Sequence, residues 1–160
     1  MRVRAATRDD TPLILAFVRE LADYEKLAHE VVATEETLAA SLFRREPDAF
    51  VLIAELEGAP AGFALYFHNY STFLGRPGIF LEDLFVRPAA RGHGVGRALL
   101  ARLAAVATER GCGRLEWAVL DWNESAIGFY RKLGATPMSD WTVYRLAGEA
   151  LENLAGEGRD

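Results

Sequence analysis

The sequence lacks the features that mark secreted, membrane-bound and disulfide-rich proteins. A single cysteine, Cys112, excludes an internal disulfide and favours a reducing compartment. The longest stretch without a charged side chain, residues 58–75, contains a proline, a histidine and three glycines, so it is not typical of a membrane span. The first ten residues hold no apolar run of the kind found in secretory signals. These absences predict a cytoplasmic protein.

The chain also lacks an excess of basic residues. Its 18 lysines and arginines are outnumbered by 23 acidic residues, which gives a formal net charge of -5. This balance argues against nonspecific binding of nucleic acid, which needs a basic face. Three histidines lie far apart at positions 29, 68 and 93, without the spacing of metal ligands, and predict no metal site. A length of 160 residues fits one domain, 1–160, with a sizeable core.

Hydrophobic periodicity predicts an alternation of strands and helices in the order β-α-α-β-β-β-α-β-α-β. Phe80 to Val86 reads as a strand, and Gly94 to Glu109 as the helix that follows it. Leu115 to Leu120 is the strand expected after that helix in a parallel βαβ unit. Thr142 to Leu146 completes the series as a final strand. The pattern predicts a mixed sheet with helices on both faces.

A glycine-rich turn, Arg91-Gly-His-Gly-Val-Gly96, joins the strand to the helix. The exposed N–H groups and positive dipole end of a new helix suit a pyrophosphate, and arginines stand at positions 91 and 97. A Walker loop would need Gly-Lys-Ser/Thr, which is missing here. A Rossmann fingerprint would follow the first strand, whereas this motif comes late in the chain. The turn therefore predicts a phosphate site of another kind.

Two adjacent acids, Glu82 and Asp83, stand on the strand before the glycine-rich turn. Strand alternation sends them to opposite faces, so we do not expect a shared carboxylate pair. One of them must face a layer that otherwise holds apolar side chains. A carboxylate in that position is costly unless it is paired or functional. A satisfied buried acid and a catalytic acid both remain open.

Two further positions have both structural and functional interpretations. Tyr130 lies on a helix that Asn123 can cap, and an aromatic side chain there could simply pack in the core. Tyr24 and Glu25 continue the apolar face of the first helix by spacing, and a glutamate is unusual on such a face. Cys112 lies between two glycines, and nothing indicates a catalytic role for it.

The turn at 91–96 resembles the acetyl-CoA pyrophosphate motif, Q/R-x-x-G-x-G/A, of the GNAT acetyltransferase superfamily. The resemblance is closest to the diamine branch, which comprises spermidine/spermine and thialysine acetyltransferases. It implies an α/β fold with a mixed six- to seven-stranded sheet, helices on both faces, and central parallel strands that splay apart. The segments that carry it span nearly the whole chain: 21–26 (LADYEK), 81–86 (LEDLFV), 91–96 (RGHGVG), 118–123 (AVLDWN) and 129–131 (FYR).

The resemblance implies acetyl-CoA as co-substrate, no metal, and direct transfer to a primary amine of a small diamine, polyamine or thialysine-like amino acid. The expected acetyl-CoA contacts come from the end of the strand, the glycine-rich turn and the helix after Asn123. They are Leu84, Phe85, Val86, Arg91, Gly92, His93, Gly94, Val95, Gly96, Arg97, Asn123, Ser125 and Tyr130.

The resemblance also assigns roles to the acids and the tyrosines. Glu82 would attract the substrate ammonium and accept its proton through water, since an aliphatic amine with a pKa of about 10 must be deprotonated before it attacks. Tyr130 would protonate the leaving thiolate. Tyr24 and Glu25 would form part of the amine site. Asp140 would replace an acid that relatives carry near the last strand, where this chain is shorter.

Two alternatives remain beside this hypothesis. The acceptor could be an aminoglycoside, an amino acid or a protein N-terminus. The chain could instead be a CoA-sensing module without turnover. The resemblance further implies a homodimer, to which Phe73, Leu74 and the C-terminal strand would contribute.

Overall fold

The computed structural model describes residues 1–158, which fall into two compact units, residues 1–118 and residues 119–158. Five strands and three helices belong to the first unit: β1 (Arg2–Ala5), α1 (Thr11–Tyr24), α2 (Glu35–Leu42), β2 (Phe50–Leu56), β3 (Ala59–Ser71), β4 (Arg76–Val86), α3 (Val95–Glu109) and β5 (Leu115–Trp117). The second unit contains α4 (Glu124–Lys132) and α5 (Gly148–Glu157). Among the described helices, none is long and apolar enough to cross a membrane.

The five strands form one mixed sheet in sequence order, β1-β2-β3-β4-β5. Neighbouring strands are antiparallel except β4 and β5, which are parallel and are joined by the crossover helix α3. This confirms the predicted βαβ unit, because parallel neighbours require such a connection. The predicted number of six to seven strands was too high for the part of the chain that the structure describes.

Each face of the sheet is covered by helices, as predicted. On one face, α1 and α2 pack over a core that includes Phe17, Ile53, Phe63 and Phe85. Phe17 and Phe63 are fully buried and stack with ring centroids 5.2 Å apart. The alternate strand residues point to the other face, where α3 buries Leu99 and Leu103. Two apolar layers therefore hold the strands from both sides.

Capping residues set the starts of the helices. The Thr7 N–H donates to the Asp10 carboxylate at 2.7 Å just before α1, in the manner of a capping box. The Thr34 hydroxyl accepts from the Thr37 N–H at the start of α2. In the second unit, the Asn123 side chain accepts from the Ala126 N–H at 3.3 Å and begins α4.

Two predicted strands differ from the observed ones. The strand after α3 ends at Trp117 instead of Leu120. Residues 142–146 form no strand in the structure, although their alternating Val, Tyr and Leu side chains fit one. Strand propensity is not sufficient, because a strand also needs a backbone partner, and these residues have none among those described.

Candidate functional site

The glycine-rich turn presents a row of backbone N–H groups at the start of α3. Gly92 and Gly94 have φ angles of +80° and +78°, in the left-handed region that favours glycine. No side chain fills the space where their Cβ atoms would lie, since Gly94 has only the Met1 Cε at 4.0 Å. Within residues 1–158, the amides of 92–97 donate to no backbone carbonyl. Such a concave run of unused donors at a helix N-terminus fits a pyrophosphate.

The strand before this turn has an open edge. Pairing between β4 and β5 covers only Ile79 to Leu81, yet β4 continues to Val86. The last five residues of β4 therefore have no partner on the β5 side within the first unit. This is the divergence expected of the central parallel strands. An extended, amide-rich chain such as a pantetheine arm can pair with an edge of this kind.

A β-bulge lies where this open edge begins. On β3, Leu65 is opposite Asp83 and Tyr66 is opposite Leu81, so Glu82 has no cross-strand partner. The bulge interrupts the strict alternation that the sequence pattern assumed. Glu82 is exposed, whereas Asp83 lies beside Phe85 on the face covered by α1. Bulges of this kind often redirect a side chain next to an active site.

Three carboxylates converge on this bulge without a cationic partner. Asp83 is influenced by the charges of Glu82 and of Glu25, which caps the end of α1. Burial, reinforced by those two negative charges, raises the pKa of Asp83 to about 7. Burial also raises the pKa of Glu25. Within the described chain, none of the three has a lysine, arginine or histidine within 4 Å. The cluster can accept a cation from outside.

Arg91 connects the glycine-rich turn to the carboxylate cluster. Its guanidinium lies over the Tyr24 ring, 4.8 Å from the centroid, and its Nε donates to the Val86 carbonyl at 3.0 Å. The sequence predicted this arginine as a phosphate contact, but in this structure its side chain packs against the end of α1. Tyr24 stands one residue before Glu25, so Arg91 holds the wall of the cluster against the turn.

The remaining predicted residues belong to the second unit. Ser125 is exposed in the first turn of α4, and Tyr130 is half-buried on the same helix. The Tyr130 ring lies 5.6 Å from that of Phe129. Asp140 is exposed in a turn closed by a hydrogen bond from the Trp141 N–H to the Met138 carbonyl at 3.2 Å. The roles predicted for these residues remain predictions.

Within residues 1–158, no group of three or more histidine, cysteine, aspartate or glutamate side chains is arranged to hold a metal ion.

Taken together, an amide-lined turn, a splayed parallel strand pair and a bulge with carboxylates define a GNAT acetyltransferase. The profile of the acetyltransferase (GNAT) family matches residues 15–135, and the chain belongs to this family. It is an N-acetyltransferase, as its relatives are. Both the family and the mixed α/β fold that the sequence predicted are confirmed.

Three similar proteins illustrate the relationship. Thialysine N-epsilon-acetyltransferase from Bos taurus is 41% identical, over 97% of both chains. L-ornithine N5-acetyltransferase from Arabidopsis thaliana is 34% identical, over 96% of this chain and 87% of its own length. The solved structure of an integron cassette protein from the mobile metagenome of V. cholerae is 28% identical, with a TM-score of 0.78 over 96% of both chains.

The structure draws attention to one residue whose importance the sequence did not reveal. The family resemblance assigns a role to Glu82 and none to Asp83, yet Asp83 is the acid whose pKa is raised to about 7. The sequence held a partial signal, since an acid in an apolar strand is unusual. Because of the bulge, the side chains of Glu82 and Asp83 differ in solvent exposure. The spacing of residues in the sequence does not predict that bulge.

Proposed function

We propose that the enzyme moves an acetyl group from acetyl-CoA to a primary amine of a small diamine, a polyamine or a thialysine-like amino acid. The observation that carries this proposal is the cluster of Glu25, Glu82 and Asp83, which has no cationic partner within 4 Å among residues 1–158. A substrate ammonium supplies the missing positive charge. The names of the relatives, which refer to thialysine and ornithine, support an acceptor with a side-chain amine.

The acetyl-CoA contacts divide between two kinds of donor. The amides of residues 92–97 bind the pyrophosphate, with the Arg97 side chain available beside them. The open edge from Leu84 to Val86 pairs with the pantetheine arm, and an N–H near Phe85 or Val86 polarises the thioester carbonyl. Asn123, Ser125 and Tyr130 contribute from the second unit. Bound acetyl-CoA supplies a thioester that is activated toward attack by an amine.

Transfer then occurs directly in a ternary complex. Glu82 accepts a proton from the substrate ammonium through a water molecule, which frees the nitrogen lone pair. The nitrogen forms a bond to the acyl carbon as the carbon–sulfur bond breaks. Tyr130 protonates the thiolate, and the proton that the nitrogen loses on forming the amide restores the phenol. Tyr24, Glu25 and Asp140 orient the distal end of the amine. No residue of the protein is acylated at any stage.

A screen for thiol release tests the proposed acceptor. Acetyl-CoA is incubated with the enzyme and with thialysine, ornithine, lysine, spermidine, spermine or 1,3-diaminopropane. We expect turnover with at least one of these amines, and none with the matched monoamine propylamine at equal concentration. Activity confined to peptide N-termini or aminoglycosides would contradict the acceptor class. CoA binding without thiol release from any amine would indicate a sensing module instead.

The Tyr130→Phe variant tests the general acid. Removal of the phenol hydroxyl leaves the ring in place, so we expect kcat to fall about 100-fold while the affinity for CoA changes less than about twofold. Steady-state kinetics and CoA titration give the two values. Phe129, whose ring neighbours Tyr130, offers a control, because Phe129→Tyr adds a hydroxyl on the same helix. An unchanged kcat in Tyr130→Phe would remove Tyr130 from this role.

We also propose a cytoplasmic homodimer. In the first unit, the large apolar side chains of Phe73 and Leu74 are exposed, and exposed apolar patches commonly form interfaces. Sedimentation velocity of the wild type and of Phe73→Ser gives the test. We expect a dimer that weakens in the variant, and a monomeric wild type would contradict the proposal.

A further inference from the structure

A second concave site lies at the opposite end of the sheet from the glycine-rich turn. It is a groove of about 470 Å³ where β1 ends and β2 begins. Arg110, the residue after α3, forms part of its wall, while the glycine-rich turn lies at the other end of that helix. Fifteen helical residues separate the two by roughly 22 Å. We call it the arginine groove. Its lining consists of Ala5, Ala6, Arg8, Leu42, Phe43, Arg44, Pro47, Ala49, Phe50, Val51, Leu52, Tyr66 and Arg110.

The charge of this lining differs from that of the protein as a whole. Three arginines line the groove, and no acidic side chain does, although the chain carries a net charge of -5. Arg44 is paired with Asp48, which lies outside the lining. Arg8 and Arg110 have no carboxylate partner within 4 Å among residues 1–158. Guanidinium groups with unused donors recognise carboxylates and phosphates by preference.

Contacts with neighbouring groups hold two of these guanidinium groups in place. The Arg8 Nη2 donates to the Phe43 carbonyl at 3.0 Å. The Arg110 guanidinium lies over the Phe50 ring, 5.0 Å from its centroid, and its Nη1 is 2.6 Å from the His68 Nε2. Because a guanidinium can only donate, Nε2 is the acceptor in this contact. Arg8 and Arg110 therefore each use one N–H donor in a contact with a neighbouring group, and their other N–H donors are available to a ligand.

The inner wall supplies an apolar surface with one polar atom. Tyr66 is only 4% exposed and stacks on Phe50 with ring centroids 5.4 Å apart. Its side chain forms part of the groove lining. Leu42, Val51 and Leu52 complete an apolar floor.

We propose that the arginine groove binds a small organic anion. The guanidinium groups of Arg8, Arg44 and Arg110 bind its carboxylate or phosphate group, and the apolar floor takes its carbon skeleton. The volume is within the range of small-molecule sites. Its Arg110 wall lies roughly 22 Å from the glycine-rich turn, and its lining carries the charge opposite to that of the carboxylate cluster.

Calorimetric titration with small probes tests this site. Benzoate and phenyl phosphate are titrated into the enzyme with CoA present at saturation, so that phosphate binding at the glycine-rich turn is blocked. We expect a dissociation constant of about 1 mM or lower for at least one probe, and no saturation by benzyl alcohol, which has the same ring without the charge. The probe that binds more tightly shows whether the groove prefers a carboxylate or a phosphate group. Equal binding of benzyl alcohol, or no binding of either anion below about 10 mM, would overturn the proposal.

Substitutions locate the bound anion. We expect Arg110→Gln and Arg8→Gln each to weaken the better probe at least about fivefold, because a charge-assisted hydrogen bond is lost. Arg102→Gln is the matched control, since Arg102 lies on the same helix, outside the groove, and pairs with Glu109. Circular dichroism and an unchanged kcat establish that the variants are folded. Equal weakening in Arg102→Gln would overturn the site, and so would a dimer that dissociates in Arg110→Gln, because the groove would then be an interface between copies.

Discussion

The two ends of the sheet carry opposite charge, although the same strands run through both. At the end near the glycine-rich turn, Glu25, Glu82 and Asp83 gather around a bulge. At the other end, the arginine groove gathers three arginines and no acid along its lining. A chain with a net charge of -5 would show neither separation if its charges served solubility alone. The comparison indicates that each end is built for a ligand of one sign.

The two ends also differ in how their charges are satisfied. Arg8 and Arg110 are anchored by neutral groups, the Phe43 carbonyl and the Phe50 ring, whereas Arg44 is paired with Asp48. The carboxylates have no such anchors, and burial with mutual repulsion raises the pKa of Asp83 to about 7. Elsewhere in the same sheet, charges are paired directly, since Arg4 binds both Asp10 and Glu55. The three acids at the bulge, like Arg8 and Arg110 in the groove, differ from these structural ion pairs because they have no oppositely charged partner within 4 Å among residues 1–158.

The largest expected difference between the two ends is in turnover. Glu82→Gln removes the proposed base without changing the shape of the side chain, so we expect kcat to fall about 100-fold with the best amine. Arg110→Gln, at the opposite end, should leave kcat within about twofold of the wild type. Steady-state thiol release measures both. A Glu82→Gln enzyme that keeps most of its activity would transfer the base role to Asp83.

A smaller effect is expected in amine affinity and its dependence on pH. With a pKa of about 7, Asp83 gains its negative charge as the pH rises from 6 to 8, whereas the amine stays protonated. The KM for the amine should therefore fall through this range. In Asp83→Asn it should be about tenfold higher at pH 8 and nearly independent of pH. A wild-type KM that rises with pH would contradict the raised pKa.

The same substitution should stabilise the fold. The folded protein binds a proton at Asp83 between about pH 4 and pH 7 that the unfolded chain has released, so the free energy of unfolding falls as the pH rises through this window. Above pH 7 the full cost of the buried charge remains. Asp83→Asn should raise the free energy of unfolding by about 2 kcal/mol at pH 8 and change it little at pH 4. Urea denaturation at the two pH values gives the comparison.

Much of this architecture could be predicted from sequence, because local pattern determines it. Thr34 and Asn123 cap helices where predicted, and the left-handed glycines 92 and 94 lie where the motif required them. The strand predicted over 142–146 was wrong because pairing depends on a distant partner that periodicity cannot reveal.

The two charged ends could be predicted only in part. Glu82 and Asp83 are neighbours in sequence, but the bulge that separates them in exposure is a property of the pairing register. The arginine groove could not be predicted, because Arg8, Arg44 and Arg110 are brought together only by the fold. Nothing in the sequence near any one of them indicates a site.

The smallest expected effect concerns salt, and it distinguishes the two ends by sign. Salt screens the attraction between an amine cation and the exposed part of the carboxylate cluster, so the KM for a diamine should rise about two- to threefold between 50 and 500 mM NaCl. Asp83→Asn should reduce that rise because one charge is lost, whereas Arg110→Gln should leave it unchanged. A salt response altered equally by both substitutions would mean that the amine senses the net charge of the whole protein. The opposite charges of the two ends would then reflect only how charge is distributed over the surface, and the acidic end would bind no ligand.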